Sequence, residues 1–436
     1  MLGLFAAPAA WTPPPCFPDR RRTILGAALS LVPPPPAPLL ADDLPLLRPQ
    51  RLLSTESVTA QALDGLLHSS RVYAVKSDSS KKLAPSTKQI NTARLLRTLG
   101  SKRAIFLGEH HPDLRDHLLQ AALLQHLHSS TGRPLAVGVE AVQRQFQSVL
   151  DDYVARRIDE EALFIRTEWE RRWYWPFTGY APIFRFCREH GLKLVALDVD
   201  SEDKAKVELG GLASLSTATL RQYVPDREAF DQFGATHAFD AYVSHTLRPP
   251  YASQKRLGQK MTMSTTVERT MTFENFLARQ CVRDEAMASA SAAWLAKNPD
   301  GLLLGLVGVN HAKFGCGVPA RTARLVPGGL DVVASVLLNP TPFTTFDGPL
   351  NLRVCDGTPV ANEACVRNDI EVQNYVLQLP FTSGASGAVG DPSGKGKEGT
   401  RAAQDEAEAV MQAKKASSVL ELSDYLMFSP PRGPEV

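Results

Sequence analysis

The sequence predicts an α/β domain built on a largely parallel central sheet flanked by helices. Three observations carry this. Compact apolar runs at residues 104–107, 135–139, 192–197, 302–309 and 331–338 each have the length of a buried strand. Stretches with helical apolar spacing lie between them, the alternation expected of a layered α/β fold. Four of the runs break off at charged or histidine-bearing residues, which places polar groups where such sheets open to ligands.

In chain order, residues 44–70 carry mixed helical text, and 71–75 form a short strand before a turn rich in Ser and Lys. Residues 91–100 have helical spacing and stop at a glycine. The 104–107 strand ends at Gly108. Pro112 suits the first position of the next helix, whose apolar face is Leu114, Leu118, Leu119, Ala122 and Leu123 and which runs through His128. A Gly132-Arg133-Pro134 turn leads into the second strand. Helices are predicted over 144–156, 159–164 and 180–190, the last stopped by Gly191. A long polar helical stretch fills 202–300, broken near Pro249 and Pro250, and residues 420–429 return to strand-like text.

The composition sets limits. With 436 residues, 44% of them hydrophobic, the chain can bury a sizeable core. A formal net charge of only +2 gives no footprint for nucleic acid. The six cysteines have no metal-knuckle spacing, although Cys355 and Cys365 can pair across a loop in an oxidising compartment. No apolar run reaches the roughly 18–20 residues of a membrane span.

Residues 1–43 read as an address. Prolines are dense, Arg20-Arg21-Arg22 precedes an apolar stretch over 24–32, and Ala41 stands before Asp42 and Asp43. The preferred expectation is a bipartite plastid leader ending in a thylakoid-lumen signal. Export by a twin-arginine route and a disordered Pro-rich tail are the alternatives. The expected plan is a 1–43 leader, a 44–100 lead-in, the main domain over 101–340, an extension over 341–382, a flexible Gly- and Ser-rich insert over 383–404, and a closing segment over 405–436.

The strand ends define the candidate site. The first run leads into Gly108-Glu109-His110-His111, the second into Glu140, the third into Asp198 and Asp200, and the fourth into Gly308-Val309-Asn310-His311. A parallel sheet brings these ends to one edge. Gly108 and Gly308 would let a ligand approach the backbone. Two histidines with carboxylates can hold a divalent ion with an open position for water, and a remaining carboxylate can act as base; His or Tyr can instead ligate haem iron. One such strand end is more often a solvated loop or a cap than a ligand; four together favour function. His117, His126 and His128 are expected at the surface, with His117 close enough to His111 to support it.

At Gly108-Glu109-His110-His111 the chain resembles the ChaN and Tiki superfamily, which opens its domain with Gly-Glu-x-His. Glu140, the Trp-rich stretch 169–177, Gln280 with Asp284 and Met287-Ala288, Gly308-Val309-Asn310-His311, Gly317-Val318-Pro319 and Asp424–Pro431 resemble its further motifs in order. The resemblance covers about 71–340 and 420–431. It implies haem binding linked to iron uptake, as in ChaN-like proteins, or metal-dependent proteolysis, as in Tiki proteins. Lipid anchoring does not carry over, because Cys16 precedes the paired arginines.

The aromatic cluster Trp169, Trp173, Tyr174, Trp175 and Phe177 reads first as a packing wedge, and second as a wall for a porphyrin. On the 273–288 helix, Arg279, Arg283 and Asp284 can reach the pocket, where an arginine would pair a propionate or a site carboxylate. The expectation is therefore a haem- or tetrapyrrole-handling protein. The alternative is a metal-dependent peptidase or esterase using Mn or Co. Glu109 and Glu140 would be catalytic, and His111, His311 and Glu109 metal ligands. Gly108, Asn310, Asp284, Arg279, Trp173 and Tyr174 would contact the ligand. The expected partner is a tetrapyrrole or a peptide, not nucleic acid, with a homodimer left open.

Overall fold

The computed structural model describes residues 59–77, 85–248, 251–252, 271–340 and 419–430, with the pairs 353–354, 372–373 and 377–378. The leader, the 383–404 insert, residues 253–270 and 405–418, most of the 341–382 extension, and Cys355 and Cys365 lie outside the described residues.

Eight strands form one sheet: β1 (Arg71–Ser77), β2 (Pro85–Ile90), β3 (Ala104–Glu109), β4 (Leu135–Gln143), β5 (Lys193–Asp198), β6 (Leu302–Gly308), β7 (Val333–Leu338) and β8 (Tyr425–Phe428). Their order is β2-β1-β8-β7-β3-β6-β4-β5. From β8 to β5 every neighbouring pair is parallel, while β1 runs antiparallel to both β8 and β2. All five apolar runs contain strands, the last only from Val333, and within the 420–429 segment Tyr425–Phe428 joins this sheet. The polar β2 was not expected. It opens at Pro85 and lies at the sheet edge, where proline and polar residues are tolerated.

Alternate residues of the central strands enter two separate cores. Phe106 of β3 packs in one with Val282, Ala286 and Met287 of the Phe273–Lys297 helix and with Val318. Ile105 and Leu107 enter the other with Leu119 and Leu123 of the Leu114–Thr131 helix and Phe184 of the Phe177–His190 helix. The period of two along the strand is the cause of this division. Helix starts follow side-chain caps: Asn91 accepts from the Arg94 amide at 2.8 Å, and Asp159 from the Ala162 amide at 2.8 Å. Gly132 and Gly191 close their helices at φ 61° and 65°, a region that favours glycine.

Two boundaries differ from expectation. The helix after β3 begins at Leu114, not Pro112, because Asp113 caps it by accepting from the Arg115 amide at 2.9 Å. Strand β4 does not end at Glu140 but continues to Gln143. Its pairing with β5 shifts from Val139↔Ala196 to Gln143↔Asp198, so β4 carries two extra residues there. Irregularities of this kind re-aim side chains, and Glu140 sits within this one.

Candidate functional site at the strand carboxyl ends

Glu109 ends β3 at the register of Gly308, the last residue of β6. Its carboxylate is 2% exposed and fully engaged. Oε1 accepts from the Tyr180 hydroxyl at 2.6 Å and lies 3.1 Å from His111 Nδ1. Oε2 accepts from Gln120 Nε2 at 2.5 Å and lies 3.3 Å from His117 Nδ1. Burial alone would raise this carboxyl's pKa, but the His111 hydrogen bond and the two histidine charges outweigh it and hold the value below the usual range.

Glu140 forms the second node. Its Oε2 accepts from the Gly308 amide at 2.5 Å. Its Oε1 accepts from Arg283 Nη2 at 2.7 Å and lies 3.3 Å from His311 Nε2. Arg283 also donates from Nε and Nη2 to Asp198 at 2.9 and 3.1 Å, and its Nη1 is 3.1 Å from His311 Nε2. Lys204 reaches the same Asp198 at 2.8 Å. Burial works against ionised Glu140, yet His311 and Arg283 hold its pKa well below the ordinary value. Asp198 is likewise held low against its burial, by Arg283 and Lys204.

His311 is tied down at both ring nitrogens. Asp284 Oδ1 and Gln280 Nε2 meet Nδ1, while Arg283 and Glu140 meet Nε2. Burial would lower its pKa, but Glu140 and Asp284 raise it to about 9, so the ring is a cation at neutral pH. His111 is more open, with 17% side-chain exposure. Its ring stacks on Trp175 at 5.5 Å and 12° and meets Trp173 edge-on at 5.2 Å. Burial opposes its charge, but Glu109 raises its pKa. A Cβ on Gly308 would lie 3.1 Å from His111 Nε2 and 3.5 Å from Glu140 Oε2. The residues near 109, 140 and 311 are therefore neighbours at one edge of the sheet.

Several residues sit differently from expectation. His117 is buried, not at the surface; it rests against Glu109 and Gln120 in space left by Gly179, where a Cβ would be 2.6 Å from its Cδ2. Gly108 admits no ligand: a Cβ there would be 2.7 Å from Leu337 and 3.2 Å from Ala312, so the glycine serves packing. Arg279 donates to Glu208 at 3.0 Å instead of to Glu109, Glu140 or a pocket histidine. Asn310 stays exposed and uses its carbonyl, which accepts from Tyr242 at 3.2 Å. Trp173 flanks His111, whereas Tyr174 points outward at 70% exposure. The wedge role falls to Trp169 and Phe177, both buried and 4.9 Å apart. Tyr180 and Gln120, the donors to Glu109, were not foreseen, because an apolar helical face gives no sign of which polar residue turns inward.

Among the described residues no cluster of three or more His, Cys, Asp or Glu side chains has a metal-holding arrangement. The reason is visible at the Glu140–His311 pair. Glu140 Oε1, which would bind an ion, already accepts from the Arg283 guanidinium, and the same guanidinium lies against His311 Nε2. The donor set as folded does not fit a divalent ion there.

A family model described as haem-binding uptake, Tiki superfamily, ChaN matches residues 95–322. Among curated proteins, the chloroplastic Protein RETICULATA-RELATED 5 of Arabidopsis thaliana is 26% identical over 285 residues, 62% of this chain and 35% of that protein. The chain thus spans about a third of the length of that relative. Among solved structures, ChaN of Campylobacter jejuni, described by its cofacial haem binding, is similar at 18% identity and a TM-score of 0.40, over 62% of this chain and 91% of that one. An erythromycin esterase mutant in its open conformation is similar at 15% identity and a TM-score of 0.34, over 84% of this chain and 98% of that one. The family match takes in more than half of the 436 residues and contains every strand-end residue from Glu109 to His311, and the chain belongs to the ChaN haem-binding uptake family of the Tiki superfamily.

Proposed function

We propose that this protein binds haem or a related tetrapyrrole against the aromatic rim around His111. The observation that carries the reading is the His111 ring held between Trp175 and Trp173, in a stretch whose intervening Tyr174 is 70% exposed. A flat apolar ligand gains by covering such rings. His111 is poorly placed to hold the iron, since Nδ1 is engaged by Glu109 and Nε2 faces Gly308 and Glu140. The open phenol of Tyr174 suits that role, a phenolate being one of the side-chain ligands haem accepts. When bound, the haem supplies the iron chemistry; the chain contributes the rings that hold it and the buried network that fixes His111. The family match supports this reading and its link to iron uptake. The chloroplastic relative supports a plastid location, and routing to the thylakoid lumen by the paired arginines is the finer part of the proposal.

Titration with hemin tests the reading. The expected result is a shift of the Soret band saturating at one or two hemins per chain. Tyr174→Phe should alter the band position, and Trp175→Ala should weaken affinity about tenfold, the scale of one buried aromatic contact. A spectrum that is the simple sum of protein and free hemin would defeat it.

Hydrolysis of a peptide or ester is the second reading, favoured by the Glu109–His111 and Asp284–His311 pairs, which have the carboxylate-held imidazole form of an acid–base site. His111 is the histidine with solvent access and would take the proton from water while Glu109 holds the resulting charge. Arg283 would supply the positive charge at the site. Ester or peptide turnover insensitive to a chelator and abolished by His111→Ala would support this form of the reading; Mn- or Co-dependent turnover would instead support the metal-dependent form.

A further inference from the structure

A second polar hollow lies away from the strand ends, where the Gln147–Val154, Glu160–Arg166 and Phe177–His190 helices meet. It is open, about 420 Å³, and lined by Tyr153, Arg156, Glu160, Arg185, Arg188 and Glu189. Along the Phe177–His190 helix, Arg188 is eight residues beyond Tyr180, about 12 Å at the rise of an α-helix.

Tyr153 is the unusual member. The residue is 0% exposed, and among the described residues its hydroxyl has no hydrogen-bond partner. Buried phenols normally find one, so an unanswered donor in the wall of a hollow asks for an acceptor from outside. Burial, with Glu160 nearby, pushes this phenol up to about 12, which keeps it a donor at neutral pH. The Arg188 guanidinium lies over the Tyr153 ring at 5.1 Å and, among the described residues, has no carboxylate partner. Arg185 does have one: it clamps Glu160 with two bonds of 2.6 and 2.7 Å, which neutralises that acid. Arg156 donates to the Glu189 carbonyl at 3.2 Å. The lining thus holds three arginines against two glutamates, and one positive charge is in excess.

We infer that this hollow binds a small oxyanion, a carboxylate or a phosphate group, whose oxygens accept from the Tyr153 hydroxyl and the Arg188 guanidinium. A planar guanidinium fork beside a phenolic donor matches two oxygens of one such group. The site is independent of the tetrapyrrole reading, since it shares no residue with the strand-end pocket.

The test is calorimetric titration of the full chain with inorganic phosphate and, separately, with acetate. At least one should saturate in the millimolar range, where a few charge-assisted hydrogen bonds place a small ion. Saturation by phosphate alone assigns a phosphate-bearing ligand, and by acetate alone a carboxylate. Arg188→Gln should weaken binding about tenfold and Arg188→Lys less, because the ammonium lacks the fork. Tyr153→Phe should weaken it about threefold or more, without loss of thermal stability, since it removes a donor that has no partner in the fold. Neither variant should change the hemin titration, and Tyr174→Phe should leave anion binding intact. Should neither ion saturate, or should saturation be untouched by Arg188→Gln, the inference is overturned. Arg188 is only half buried, so that variant decides even if Tyr153→Phe does not fold.

Discussion

Replacing Arg283 by Met isolates the charge balance beneath His111. In the native fold this guanidinium makes two bonds to Asp198 and one to Glu140, and it abuts His311 Nε2, all with 14% of its side chain exposed. Removing one partner of a buried ion pair costs about 3–5 kcal/mol, chiefly because the opposite charge stays behind. Here part of that charge keeps support. Lys204 still reaches Asp198, and the Gly308 amide still reaches Glu140. The lower end, about 3 kcal/mol, is the expectation, or a fall of about 3–5 °C in Tm for a chain of this size. The pH dependence has a definite sign. Glu140 and Asp198 are held below their ordinary values of 4.5 and 3.8, so their stabilisation is present above those values and is lost as pH falls. The deficit of Arg283→Met should therefore be full at pH 7 and should shrink below about pH 4, once the orphaned carboxylates protonate. Arg283→Lys should recover less than half, since one ammonium cannot span Glu140 and Asp198 with the same three contacts. Urea unfolding followed by Trp fluorescence at pH 7 and pH 3 measures this. A variant within about 0.5 kcal/mol of the native protein at pH 7, or an equal deficit at both pH values, refutes the reasoning.

Two further outcomes follow from the same network. His311 is raised from 6.5 to about 9, so it contributes stability on the order of 3 kcal/mol that is complete below pH 6.5 and is lost as pH rises through about 9. The unfolding free energy should decline across that window, and Asp284→Asn should flatten the decline; a level native profile contradicts the assignment. Gly308→Ala puts a methyl 3.1 Å from His111 Nε2, so the imidazole must tilt against Trp173 and Trp175. Hemin affinity should fall about three- to tenfold with stability changed by less than about 1 kcal/mol, and unaltered affinity would separate His111 from the rim.

The sequence exposed what is local. Apolar runs of strand length and the polar residues that end them are features of neighbouring positions, and the fold places Glu109, Glu140 and His311 together as that pattern implies. It concealed what depends on rotation about a helix axis. His117 and Gln120 share one face three residues apart, and only the space above Gly179 decides that this face looks toward Glu109. One helix also carries Arg279, Arg283 and Asp284, of which Arg283 and Asp284 meet the strand-end residues while Arg279, a turn earlier, goes to Glu208. Spacing admits all three. Gly108 was misread for a related reason: a glycine at a strand end can make room for a ligand or for the neighbouring strand, and Leu337 of β7 takes the room.

The charged strand ends that mark the site in the sequence are, in the fold, largely engaged with one another. Glu109 accepts from Tyr180 and Gln120, Glu140 from Gly308 and Arg283, and His311 is held at both nitrogens. Groups satisfied in this way have little left to offer a ligand, because a new contact must first break an existing one at the cost of a buried charge. What they offer is position. They fix one imidazole, His111, between two indoles at the rim of the strand ends, in a stretch whose Tyr174 is exposed. An apolar, flat ligand can use that rim without disturbing the ions below. A ligand that needs a bare carboxylate must first displace Arg283, which is why the rim, more than the ions, carries the tetrapyrrole reading.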